Sequence, residues 1–135
     1  MGKSLLGILL ALIALILVAT TVSCTKKSPE SLAKDDVTQY LATALSPDYM
    51  KLEKTYGKNL AECGSNMHAF YSTSGASAQI LSVQTYIPDK VQVNVIVHAS
   101  GFNYTDTFTY SPISGNYQLT RIDEVFLGKS IVYGR

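Results

Sequence analysis
The apolar period of this chain changes once, and that change restricts its fold more than any other feature. Between residues 28 and 71 apolar side chains recur every three or four positions, as on one stripe of a helix. From Ala78 onward they alternate, as on one face of a strand. Ser72, Thr73, Ser74 and Gly75 separate the two regimes. Helices followed by a run of strands is an α+β pattern. It predicts N-terminal helices packed on one face of a curved antiparallel sheet of four to five strands.

The helical part divides at its own punctuation. Ser28, Pro29 and Glu30 supply an N-cap, a first-turn proline and a first-turn acid. Ala33, Val37, Tyr40, Leu41, Ala44 and Leu45 then form one stripe. Ser46, Pro47 and Asp48 repeat the start signal and predict a second helix with Tyr49, Leu52 and Tyr56 inward, ended by Gly57. Asn59 is the predicted cap of a third helix bearing Leu60, Cys63, Met67, Phe70 and Tyr71, which Gly64 should weaken.

The strand part predicts segments at residues 78–87, 90–99, 102–110, 116–127 and 130–133. The second carries Val91, Val93, Val95, Val97 and Ala99 on one face. The third carries Phe102, Tyr104, Phe108 and Tyr110 on one face and Asn103, Thr105, Thr107 and Thr109 on the other. Ser100 and Gly101 signal a tight hairpin, and residues 111–115 a turn.

Ahead of this domain, residues 5–24 are uncharged and follow Lys3. The strictly apolar run is 15 residues, Leu5 to Ala19. At about 1.5 Å per residue it reaches roughly 22 Å, short of a hydrocarbon core of about 30 Å. A leader helix of this length favours a signal peptide over residues 1–23 and leaves an uncleaved anchor as the alternative. Thr21, Val22, Ser23 and Cys24 resemble the lipobox of prokaryotic lipoproteins, with Thr21 where leucine is usual. The resemblance implies a lipid on Cys24, residues 24–27 as a tether, and residues 28–135 as a single α+β domain on the extracytoplasmic side of a cell-envelope membrane. If Cys24 is lipidated, Cys63 stands alone as a small buried apolar residue; if not, the two could form a disulfide.

Charge narrows the partners. Without Lys3 the acidic and basic side chains balance, and the arginines are Arg121 and Arg135 alone. That excludes a basic nucleic-acid surface. With nine tyrosines and no tryptophan, an aromatic contact surface has to be built from tyrosine and phenylalanine.

The order of elements resembles the small exported domains of the nuclear-transport-factor-2-like and cystatin-like group. The resemblance rests on DDVTQYLATAL, on KVQVNVIV with FNYTDTFTY, and on GNYQLTRIDEV, where Tyr117 stands in place of the family's usual tryptophan. It implies a curved sheet wrapped on a helix around a cone-shaped cavity. Members include isomerases, dehydratases, ligand-binding domains and lipoproteins.

Catalytic signatures are sparse. His68 and His98 are the only histidines, and no serine sits in a glycine-framed elbow. Cys63 and His68 do not make a zinc site by spacing, so no metal and no cofactor are expected. Asp106 breaks the rule of its strand, because it shares the aromatic face with Tyr104 and Phe108. A carboxylate facing an apolar interior costs several kcal/mol, or takes up a proton. The resemblance implies Asp106 as a cavity base aided by Tyr104 or Tyr117. The favoured reading is plainer: an edge or bent strand leaves Asp106 in solvent, or pairs it with Arg121. Arg121 and Asp123 share a parity and are expected as a surface ion pair. The chain is therefore expected to be a membrane-tethered binding or structural domain, taking a protein partner or a small apolar ligand. An isomerase or dehydratase using Asp106 is the alternative.

Overall fold
A computed structural model describes residues 26–86 and 88–135. The leader and Cys24 lie outside them. Among the described residues no helix is long and apolar enough to cross a membrane. Among the described residues three helices, α1 (Pro29–Ala44), α2 (Lys51–Tyr56) and α3 (Lys58–Ser74), precede five strands. These are β1 (Ser77–Tyr86), β2 (Lys90–Ala99), β3 (Phe102–Ile113), β4 (Asn116–Phe126) and β5 (Lys129–Gly134). The strands pair in sequence order as an open antiparallel sheet.

α1 begins as its sequence dictates. Ser28 stays extended and its Oγ accepts from the Ser31 amide at 3.2 Å, with Pro29 in the first turn. Ala33, Val37, Tyr40, Leu41 and Ala44 are buried on the predicted stripe, against β1 and β2. The second start signal builds less than expected. Residues 46–50 form turns closed by bonds between residues three apart, with Tyr49 N donating to Ser46 O at 3.3 Å, and α2 begins only at Lys51. Gly57, at φ 85°, ends α2 and also serves as N-cap of α3, which leaves Asn59 inside the helix instead of capping it.

Gly64 is required where it stands. Its amide donates to the Tyr40 hydroxyl at 2.8 Å, and that hydroxyl donates to Leu60 O at 2.5 Å. The phenol therefore sits between the two groups that an unbroken helix joins directly. A Cβ on Gly64 would overlap Leu52 Cδ1 and lie 3.0 Å from the Tyr40 oxygen.

Val91, Val93, Val95 and Val97 of β2 are fully buried beneath α1 and α3. Each contributes about 1.5–3 kcal/mol by burial. Three two-residue loops join β2 to β5, as the pairs Ala99 with Phe102, Ile113 with Asn116 and Phe126 with Lys129 show. Two of them, Ser114-Gly115 and Leu127-Gly128, have positive φ at both residues, the turn that follows sheet twist.

β3 runs three residues past its predicted end. Its β2 partner stops at Val91 opposite Tyr110, so Ser111, Pro112 and Ile113 pair with β4 alone. Pro112, which lacks an N–H, is tolerated on such an edge. A bulge sits just before: Thr109 faces Arg121 whereas Tyr110 faces Leu119, which leaves Thr120 as the extra residue on β4. The bulge shifts which parity of β4 points inward. Leu119 is buried on one side of it, and Ile122 and Glu124 on the other.

Candidate functional site
Two carboxylate centres stand out, and they are built differently. The first lies in a cleft of about 520 Å³ between α1, α2 and the β3–β4 hairpin, lined in part by Leu32, Asp36, Tyr56, Tyr110, Tyr117 and Leu119. Asp36 is half-buried on α1. Its Oδ1 accepts from the Tyr56 hydroxyl at 2.8 Å and its Oδ2 from the Tyr110 hydroxyl at 2.6 Å. Burial first, and then Asp36 itself, raises the pKa of both phenols above the usual tyrosine value. Both keep their protons and act as donors. Each carboxylate oxygen retains a lone pair for a further donor.

The second centre is enclosed. Asp106 on β3 and Glu124 on β4 are directly opposed across the strand pair, at 0% and 4% exposure. Cys63 of α3, fully buried, completes it, with Sγ 3.8 Å from Asp106 Oδ2 and 3.9 Å from Glu124 Oε2. Tyr133 of β5 donates to Glu124 Oε1 at 3.2 Å, and Asn66 donates to the Tyr133 hydroxyl at 3.0 Å. Among the described residues, two buried polar atoms here have no hydrogen-bond partner, Asp106 Oδ1 and the Tyr104 hydroxyl. The ring of Tyr104 is held by Phe70 and Phe126, with centroids 5.8 and 5.4 Å away, so the hydroxyl cannot turn elsewhere.

Electrostatics at this centre run in one direction. Burial, then the charge of Glu124 and a hydrogen bond shared with it, push Asp106 from 3.8 up to about 8. Burial raises Glu124 as well, against the hydrogen bonds that favour its charged form. Burial, followed by the two acids, pushes the Cys63 thiol well above 9. A bare pair of opposed carboxylates is unfavourable here; one shared proton converts repulsion into a hydrogen bond.

The favoured expectation for Asp106 is overturned. β3 is the middle strand of the sheet and its inner face lies under helices, so Asp106 reaches neither solvent nor an arginine. Arg121 turns to the other face and pairs with Asp123, with Nη2 2.6 Å from Oδ1, as its parity predicted. Of the residues named from sequence, Tyr104 joins Asp106. Tyr117 does not; it lines the cleft with Asp36. The Cys24 assignment falls outside the described residues. His98 meets Asn103 at 3.0 Å, and His68 stacks on Tyr49 and contacts Ala44 O at 3.0 Å.

Sequence reading missed Asp36 and Glu124. Glu124 carried a usable signal, the same one that marked Asp106: it alternates with Ile122 and Phe126, both packed in the core. Asp36 carried none, because its partners are 20 and 74 residues away. Compared with protein-family models, with curated proteins and with solved structures, the chain matches none.

Proposed function
We propose that this chain is a membrane-tethered, extracytoplasmic binding domain whose ligand enters the Asp36 cleft. The ligand class that fits is a small amphipathic molecule, its apolar body against Leu32 and Leu119 and a cationic head at Asp36. The observation that carries this is the carboxylate itself, fixed by two phenol donors on the wall of an open cleft with a third tyrosine, Tyr117, beside it. The half-buried Tyr56 and Tyr117 beside the carboxylate suit an organic cation, whose contact with a ring contributes about 0.5–2 kcal/mol. The tether rests on residues 5–24 and on the lipobox resemblance of Cys24. The curved-sheet resemblance to the nuclear-transport-factor-2-like and cystatin-like group belongs to the same proposal. An isomerase or dehydratase using Asp106 finds less support, since a substrate would have to displace packed side chains to touch a fully buried carboxyl.

Two measurements test the proposal. Mass spectrometry of the mature N-terminus should find acylated Cys24; an intact Met1 refutes the lipid. Titration with choline, followed by tyrosine fluorescence, should saturate in the wild type and weaken at least tenfold in Asp36→Asn. Identical responses from both proteins would remove Asp36 from any binding role.

A further inference from the structure
The enclosed centre holds a thiol and two carboxyl groups, and among the described residues no cationic side chain is paired with them. Among the described residues the ion pairs are Lys27–Asp35, Lys51–Asp48 and Arg121–Asp123, and none involves Asp106 or Glu124. We propose that Cys63, Asp106 and Glu124 form a structural binding site for one divalent cation of the zinc class.

Geometry comes first. One ligand atom from each residue, Sγ and two carboxylate oxygens, lies within 4.8 Å of the others. A tetrahedral zinc with bonds of about 2.3 Å to sulfur and 2.0 Å to oxygen places sulfur roughly 3.5 Å from each oxygen. The observed sulfur–oxygen separations are 3.8 and 3.9 Å. A side-chain adjustment of a few tenths of an ångström closes that gap.

The second observation is independent of the three ligands. The Tyr104 hydroxyl, 3% exposed, has no partner and stands two residues from Asp106 on the same inward face. It supplies a hydrogen bond for the group that completes the tetrahedron. Tyr133 acts from the other side. By donating to Glu124 Oε1 it leaves Oε2 turned to Cys63, the kind of outer partner that orients a metal ligand. The Asn66–Tyr133–Glu124 chain links the exposed Asn66 to the centre.

The donor set selects the ion. Magnesium and calcium take six or more oxygen ligands, and a thiolate suits neither. One thiolate with two carboxylates suits zinc, or cobalt as its probe. On binding, Cys63 loses its S–H proton as the sulfur–metal bond forms, and the proton shared by the two acids leaves as well; both pass to buffer. No electrons are transferred.

The test uses the full chain, stripped by chelation and then titrated with Zn²⁺ or Co²⁺. Native mass spectrometry should count one metal per chain, and cobalt should give a thiolate-to-metal charge-transfer band in the near ultraviolet. Cys63→Ser should abolish that band, and Glu124→Gln should cut affinity at least tenfold. If a variant fails to fold, the wild-type band still decides the question. A wild type that is folded by circular dichroism but takes up neither ion overturns the proposal. So does uptake that Cys63→Ser leaves unchanged.

Discussion
Asp36 and Asp106 are both aspartates set between a helix and the sheet, yet their surroundings differ. Asp36 receives a proton donor on each oxygen and keeps an open side. Asp106 faces a second acid and a thiol, and one of its oxygens has no partner. The first arrangement is complete within the protein and can still accept from outside. The second is incomplete until a proton or a cation joins it. Buried polar groups are costly when unpaired and inexpensive when paired, so the two centres should respond oppositely to the same kind of mutation.

The largest effect is expected at Asp36. Asp36→Ala leaves the phenols of Tyr56 and Tyr110 without their acceptor. Charge-assisted bonds contribute about 1.5–3 kcal/mol each, so a loss of about 3 kcal/mol should appear in urea unfolding. A loss below about 1 kcal/mol would mean the two centres do not differ as described.

Tyr110→Phe should come next. It removes one of the two donors and should cost about 1.5 kcal/mol. The matching change in the other centre, Tyr104→Phe, removes a hydroxyl that has no partner. In metal-free protein it should be neutral, within about 0.5 kcal/mol. Equal costs for the two tyrosines would erase the contrast.

In metal-free protein Asp106→Asn should be stabilising at pH 8 to 9, by on the order of 1 kcal/mol, because a buried unpaired charge is removed. The accompanying pH profile has a definite sign. The folded-state value of Asp106, about 8, lies above its ordinary 3.8, so the folded state binds the extra proton. Its contribution is therefore full below about pH 4 and is lost as pH rises through 8. Burial shifts Glu124 in the same direction. Midpoints in urea across this range should fall in chelated wild type and flatten in Asp106→Asn; a midpoint that rises with pH would contradict the buried acid pair.

How much of this was legible depended on how far the relevant contact reaches along the chain. The α1 stripe and the β2 valines were readable because helix and strand periods are local. Asp106 was readable as an anomaly for the same reason, but not its environment, which depends on β3 lying in the middle of the sheet. Glu124 was readable in the same way, from its alternation with Ile122 and Phe126, but the extra residue at Thr120 hides which parity of β4 as a whole points inward. Gly64 was readable only as a poor helix former; the crowding of its position by Tyr40 and Leu52 is a tertiary fact that the local sequence does not carry.

The Tyr40 hydroxyl has a consequence for how the molecule comes together and opens. It serves as acceptor for the Gly64 amide and as donor to Leu60 O. The middle of α3 is thus bonded through a side chain from α1, 24 residues earlier. The docked Tyr40 phenol therefore ties the backbone of α3 to α1 at this turn. The two should form one cooperative unit in hydrogen exchange, with the Gly64 amide released only at the free energy of global opening.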